Sequence, residues 1–254
     1  MTRVSLHQLA VLVLFALPTL AASAQQGTVT YTATVKLDNV DLPPEFEALR
    51  DQIPSETRSE RVLRFTETEA LTSTSSSERE SDVADPSELT DTGEQRVHIR
   101  VRGAQVNDQT YVNLDTGEIV RKRDFLGRAF RIQREAEPLA WRLTGEQSEF
   151  LGYTAQKAVA EHDSTTYEAW FTPEIPVSAG PDAYGGLPGL ILVLTAGNRT
   201  FEATSVDLSP LAEGAIEKPS EGQEVTSEEF AQIVEERTRE REAAGTGRTR
   251  FFRF

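Results

Sequence analysis

Polar and apolar residues alternate cleanly from Thr28 to Leu37. Val29, Tyr31, Ala33, Val35 and Leu37 fall on one face, and Thr28, Thr30, Thr32, Thr34 and Lys36 on the other. A period of two predicts a strand with one buried face. Prolines at 43, 44 and 54 break the next segment into loop, with a short helix at 45–51. Arg61 to Leu71 reads as one further strand. Residues 73–93 are serine- and acid-rich and contain Pro86, which predicts an exposed loop. The alternation returns at Arg96–Arg102. Tyr111–Leu114 and Ile119–Phe125 then flank the turn Asp115-Thr116-Gly117, a hairpin signature. Gly127 predicts a second hairpin into Ala129–Arg134. Trp141–Leu143, Tyr153–Ala160 and Thr165–Phe171 follow as strands. Leu190–Leu194 is a continuous apolar run suited to a strand buried on both faces, paired with Phe201–Val206 across Ala196-Gly197-Asn198. Thr226-Ser227-Glu228-Glu229 is a capping box, and Phe230, Ile233 and Val234 give the helix at 227–243 a narrow apolar stripe. The expected fold is mostly β: a single curved antiparallel sheet or half-barrel, similar to periplasmic lipoprotein carriers, with a C-terminal α-helix. A two-sheet β-sandwich is the alternative.

The two ends of the chain differ from this pattern. Arg3, the apolar stretch Leu9–Leu20 and the small-x-small site Ala22-Ser23-Ala24 predict a signal peptide over residues 1–24. A β-rich domain is expected over 25–225, and a helix with a basic-aromatic tail over 226–254. Gln25, not Cys, follows the expected cut, so a lipoprotein anchor is not expected there. The location implied is periplasmic or secreted. No later run is long and apolar enough for a membrane helix.

Composition narrows the chemistry. The chain has no cysteine, which removes disulfides, thiol nucleophiles and thiolate metal sites. Its net charge of −15 argues against nucleic-acid partners. Only four of the 26 basic residues are lysine, a composition used by halophilic proteins and equally by ordinary acidic secreted ones. Charge is also segregated: residues 41–94 hold 15 acidic and 5 basic residues, and residues 96–134 hold 4 and 9. Either these stretches neutralise each other across one fold, or a basic face serves an anionic ligand or surface.

Candidate catalytic groups are sparse. Two Asp-Thr-Gly triplets, at 91–93 and 115–117, have the letters of an aspartic-protease dyad. They lack its apolar lead-in strands and are followed by Glu94 and Glu118, so turn chemistry is the better reading. His98 lies on an arginine-lined strand face. His162-Asp163-Ser164 reads as a hairpin turn, because adjacent residues on a strand point to opposite faces. No cofactor or metal is expected. A carboxylate calcium site in the acidic loop has no supporting repeat pattern.

The unusual segment is 172–189, with four prolines and four glycines in 18 residues. Fixed and permissive φ angles in that mixture predict a rigid, sharply folded loop. It reads either as a stiff crossover plugging one end of the sheet or as a binding surface. The ligand- or partner-binding candidates are Trp170, Tyr184, Gly186, Leu187, Pro188 and Gly189, with Leu187 or Pro188 expected against the Trp170 or Tyr184 ring.

Gly186-Leu187-Pro188-Gly189-Leu190-Ile191 resembles the signature of the GLPGLI family, exported bacterial proteins of unknown function. Trp141-Arg142-Leu143-Thr144, Leu151-Gly152-Tyr153, Gln156-Lys157-Ala158 and Ala169–Val177 are similar to its other conserved stretches. The resemblance spans about residues 139–195. Relatives often carry a cysteine where Ala155 stands, so a thiol role does not carry over. The resemblance implies an exported, β-rich protein working beside outer-membrane receptors, and transfers no catalytic residues. The expected function is a non-enzymatic binding or accessory protein for a hydrophobic or peptide-like ligand or an outer-membrane partner. A carboxylate-dependent hydrolase using Asp115 and a purely structural envelope protein stay open.

Overall fold

The structure, a computed structural model, describes residues 25–37, 55–74 and 108–243. The strands are β1 (Gly27–Lys36), β2 (Glu56–Phe65), β3 (Glu69–Thr74), β4 (Gln109–Asn113), β5 (Glu118–Phe125), β6 (Arg128–Glu135), β7 (Arg142–Phe150), β8 (Tyr153–His162), β9 (Thr165–Thr172), β10 (Leu190–Ala196), β11 (Arg199–Asp207) and β12 (Gln223–Val225). Helix α1 covers Ser227–Ala243. All twelve strands form one open sheet in the order β12-β6-β5-β4-β3-β2-β1-β11-β10-β9-β8-β7. Every pairing is antiparallel except β12 with β6. The architecture is the expected mostly-β sheet with a C-terminal helix, and not a two-sheet sandwich.

β1 is the seam. It pairs with β2 along its whole length, and on its other edge with β11. Two meanders thereby join into one sheet, and a short link dictates the overall shape. Only residues 136–141 separate β6 from β7, which lie ten strand spacings apart. A flat sheet would place them about 48 Å apart, at ~4.8 Å per strand. The link, fully extended, reaches about 25 Å. The sheet must therefore curl. Ala136 donates its N–H to Gly117 O on the first meander, and the next side chain, Glu137, lies 3.4 Å from His162 on the second.

Inside the curl lies the main core: Val29, Tyr31, Leu63, Phe65, Phe171, Leu190–Leu192, Leu194 and Phe201, all buried. The Tyr31 hydroxyl donates to Ile191 O at 2.6 Å across this core, and burial pushes its pKa up. On the outer face, Leu71, Tyr111 and Val120 are covered by Ile216 of the 208–222 crossover. Lys218 binds Glu118 at 2.6 Å, and Lys122 binds Glu221 at 2.7 Å, along the same crossover. At the β12 edge, Phe230 and Ile233 of α1 pack on Phe125, Phe130, Ile132 and Val225.

Several expectations need correction. Arg61–Leu71 is not one strand: Thr66–Thr68 turn the chain, with Thr66 Oγ1 accepting the Glu69 N–H at 3.1 Å. The threonine-rich sequence Thr66-Glu67-Thr68 carries no Gly or Pro to mark that turn. Ser73 and Thr74, read as loop, close β3 against β4 and β2. The strand at Trp141–Leu143 runs on to Phe150 as β7, with a bulge where Gly145 takes φ 84°. β12 was not foreseen. The helix at 45–51, the strand at 96–102, the Asp91 triplet, residues 75–93, the leader and the tail lie outside the described residues.

Candidate functional site

Hairpin turns account for the motifs at Asp115-Thr116-Gly117 and His162-Asp163-Ser164. Asp115 is exposed in a turn whose N–H groups at 115 and 116 donate to Asn113 Oδ1 at 3.1 and 2.8 Å. Gly117 closes it with φ 75°. Asp163 and Ser164 both have positive φ, 46° and 61°, as a two-residue hairpin turn requires. His162 lies 3.3 Å from Asp163 and 3.4 Å from Glu137, an exposed surface pairing. Among the described residues no three His, Asp or Glu side chains cluster to hold a metal.

Segment 173–189 is ordered and folds inward. Three tight i→i+2 turns build it: Val177 N–H to Ile175 O, Ala179 N–H to Val177 O, and Gly189 N–H to Leu187 O, each 2.8 Å. The successive turns send Ile175, Val177 and Ala179 into the core and leave Pro176 and Ser178 outside. The Leu190 and Ile191 N–H groups donate back to Ile175 O and Ala179 O at 2.9 Å. Ser178 Oγ accepts the Gly186 N–H at 2.9 Å. The segment therefore plugs the curl of the sheet.

The six candidates do not share one surface. Leu187 and Gly189 are buried, whereas Gly186 and Pro188 are exposed. Leu187 joins the main core, against which Trp170 and Tyr184 also pack. Tyr184 meets the rings of Tyr167 and Phe201, each at 6.1 Å. Trp170 lies between the Phe150 ring, 5.5 Å away, and the Lys157 ammonium at 5.6 Å. Trp141 also holds the loop: its indole N–H donates to Gly185 O at 2.9 Å. Trp141 is the last residue of the short link from β6, and the tertiary fold brings it to Gly185. Gly186 has φ 85°, but Gly189 does not have positive φ. Its side chain is absent for another reason: a Cβ there would stand 2.1 Å from Thr172 O.

Sequence reading missed a second cluster, on the inner face between plug and helix. Cross-strand register places Leu63, Thr72, Thr110, Arg121 and Ile132 in one row. Beside it run Tyr31, Arg61, Thr74 and then Asp108, with Arg123 opposite Phe130. Arg123 Nε donates to Asp108 Oδ2 at 3.1 Å, and its guanidinium lies 5.8 Å from the Phe230 ring. Arg61 donates to Thr74 Oγ1. Thr72 Oγ1 lies 3.4 Å from Asp182 O of the plug. Asp108 is 8% exposed, and burial raises its carboxyl above the usual range despite Arg123, Arg61 and Arg121 nearby. Burial likewise lowers Arg121, with Arg123 and Arg134 adding repulsion and Asp182 opposing it. The alternation Ile119, Arg121, Arg123 was the available signal, since it shares the period of the buried residues.

The comparisons with known proteins are sparse. A family model described as a protein of unknown function (Porph_ging) matches residues 160–193, a stretch that includes the Gly186–Ile191 hexapeptide. No curated protein matches the chain. Two solved structures of PNGF-II, in P21 and C2 crystal forms, share the fold at 17% identity with TM-scores of 0.52 and 0.53. Each match covers 83% of this chain and 33% of that one, so the chain spans about a third of the length of the solved structures it matches.

Proposed function

We propose that this chain is a non-enzymatic accessory module of the GLPGLI type that works outside the cytoplasm and docks an extended, peptide-like segment of an envelope partner along β7. The observation that carries this reading is the edge itself. Among the described residues β7 is the last strand of the open sheet, paired with β8 alone, and seven of its nine residues are exposed. Leu143, at 53% exposure, offers an apolar foothold. An unpaired strand edge supplies main-chain donors and acceptors, and the alternate side chains supply specificity. The occurrence of the same fold as a third of a longer chain fits a module that serves beside other domains. The plugged interior favours a partner held at the edge over an apolar ligand enclosed in the sheet.

The test is site-specific photocrosslinking in the native envelope. A crosslinker at Ser148 on β7 is expected to give one discrete adduct with an identifiable envelope protein, and Leu143→Arg is expected to abolish it. A crosslinker at Glu202, exposed in the middle of the sheet on β11, is expected to give none. Equal adducts from both positions, or an adduct indifferent to Leu143→Arg, would reject docking at β7.

A further inference from the structure

We infer that the inner face of β2–β5 carries a binding recess for a soluble phosphate-class oxyanion, with Arg121 as its central donor and Arg61 and Arg123 beside it. The argument starts from what this sheet face should contain. Cross-strand partners share a face, and the row on one side of this one is apolar: Ala70, Val112 and Ile119 belong to the main core. Arginine in the continuation of that face must be compensated, because a buried guanidinium is costly without partners. The compensation among the described residues is incomplete. The guanidinium groups of Arg61, Arg121 and Arg123 act on Asp108, and Asp182 is the second carboxylate acting on Arg121, whereas Arg134 is exposed to solvent. Asp108 engages Arg123 through Oδ2, while its buried Oδ1 and the buried Nε of Arg61 have no hydrogen-bond partner. Arg121 forms no hydrogen bond of its own with a described residue; its opposite charges are Asp182 and Asp108.

Among the described residues the three guanidinium groups outnumber the two carboxylates, and the planar guanidinium fork suits the oxygens of a phosphate. Buried Thr72 and Thr110 stand in the same row as Arg121; the Thr72 hydroxyl is turned to Asp182 O, and Thr110 adds a hydroxyl group to the recess. The walls are fixed: the plug segment contributes Asp182 on one side, and α1 contributes Phe230 against Arg123 on the other. The recess lies within the curl of the sheet, so its fitting occupant is free phosphate or a small phosphomonoester rather than a membrane surface. The placement is the more telling in a chain of net charge −15. This inference is independent of docking at β7, which lies at the other end of the sheet order.

The experiment is thermal unfolding and calorimetric titration of the full chain at constant ionic strength, with sodium phosphate and glycerol phosphate against sodium chloride. Saturating phosphate, at about 100 times its Kd, is expected to raise Tm by roughly 5–10 °C, and chloride is expected to leave it unchanged. Arg121→Gln is expected to lose that response. Should Arg121→Gln fail to fold, Arg121→Lys keeps the charge without the fork, and its phosphate affinity is expected to fall at least about tenfold. No phosphate-specific shift in the wild type would overturn the inference. So would an affinity unchanged in Arg121→Lys, or binding to phosphatidylglycerol vesicles in place of soluble phosphate.

Discussion

Gly189 sits where two backbone segments nearly touch. A Cβ on it would meet the carbonyl of Thr172, a rigid neighbour that cannot swing aside. Gly189→Ala is therefore expected to cost at least about 1–3 kcal/mol, the ordinary range for overpacking a fixed interior. Urea unfolding would register it, and a midpoint within error of wild type would contradict the packing. Asp108 gives a residue-scale prediction with a sign. Its folded pKa lies above its ordinary 3.8, chiefly through burial, against the pull of Arg123, Arg61 and Arg121. A raised carboxyl favours the fold while protonated, and that contribution fades as pH rises through the raised pKa. Asp108→Asn stays neutral throughout. Its stability relative to wild type is expected to improve from pH 3 upward and level off once Asp108 is ionised. Denaturant midpoints measured across pH 3–7 would reveal a flat or falling difference if burial does not dominate.

At the scale of elements, α1 shows how little holds a surface helix. Thr226 Oγ1 accepts the Glu229 N–H at 3.1 Å, and Glu229 Oε2 accepts the Thr226 N–H at 2.8 Å. This reciprocal cap and the seat of Phe230 on Phe130 and Phe125, at 5.3 and 6.2 Å, fix the helix start. Thr226→Ala is expected to destabilise the helix by about 1 kcal/mol. Hydrogen exchange should quicken over 227–240 and stay unchanged over β8–β10, since no cap contact reaches them. Equal acceleration in both would mean that helix and sheet open as one unit. The edges of the sheet contrast in the same way. β12 is three residues long with α1 packed beside it, whereas β7 is nine residues long and, among the described residues, paired on one side.

For the whole molecule, the short link between β6 and β7 is compatible only with a curled sheet, and the core is expected to hold that curl without tension in the link. The plug, with its core contacts at Ile175, Val177 and Leu187, fills the same space from within. Inserting six Gly-Ser residues after Pro138 doubles the link, and is expected to cost only about 0.6 kcal/mol of loop entropy. A much larger loss in urea unfolding would show that the link itself pulls the two meanders together, through Glu137 and Trp141.

Local sequence determined most elements and their type. Period-two alternation marked β1, glycine and Asx chemistry marked the hairpins at Asp115-Thr116-Gly117 and Leu126-Gly127, and the capping box marked α1, because these signals act within a few residues. The proline–glycine segment was legible as rigid for the same reason. Local signals ran out where the partner is distant. Nothing near Gly189 announces the carbonyl of Thr172, seventeen positions earlier, and nothing near Trp141 announces Gly185. The candidate site suffered most. Leu187 and Gly189 are adjacent to Gly186 and Pro188 in sequence, yet the seating of the plug buries the first two and leaves the other two exposed. Arg121, Arg123, Arg61 and Asp108 form a cluster only because β2, β3, β4 and β5 pair in one register and curl toward the plug. Strand pairing at long range sets which face of a strand becomes interior, and that choice is made by the assembled sheet.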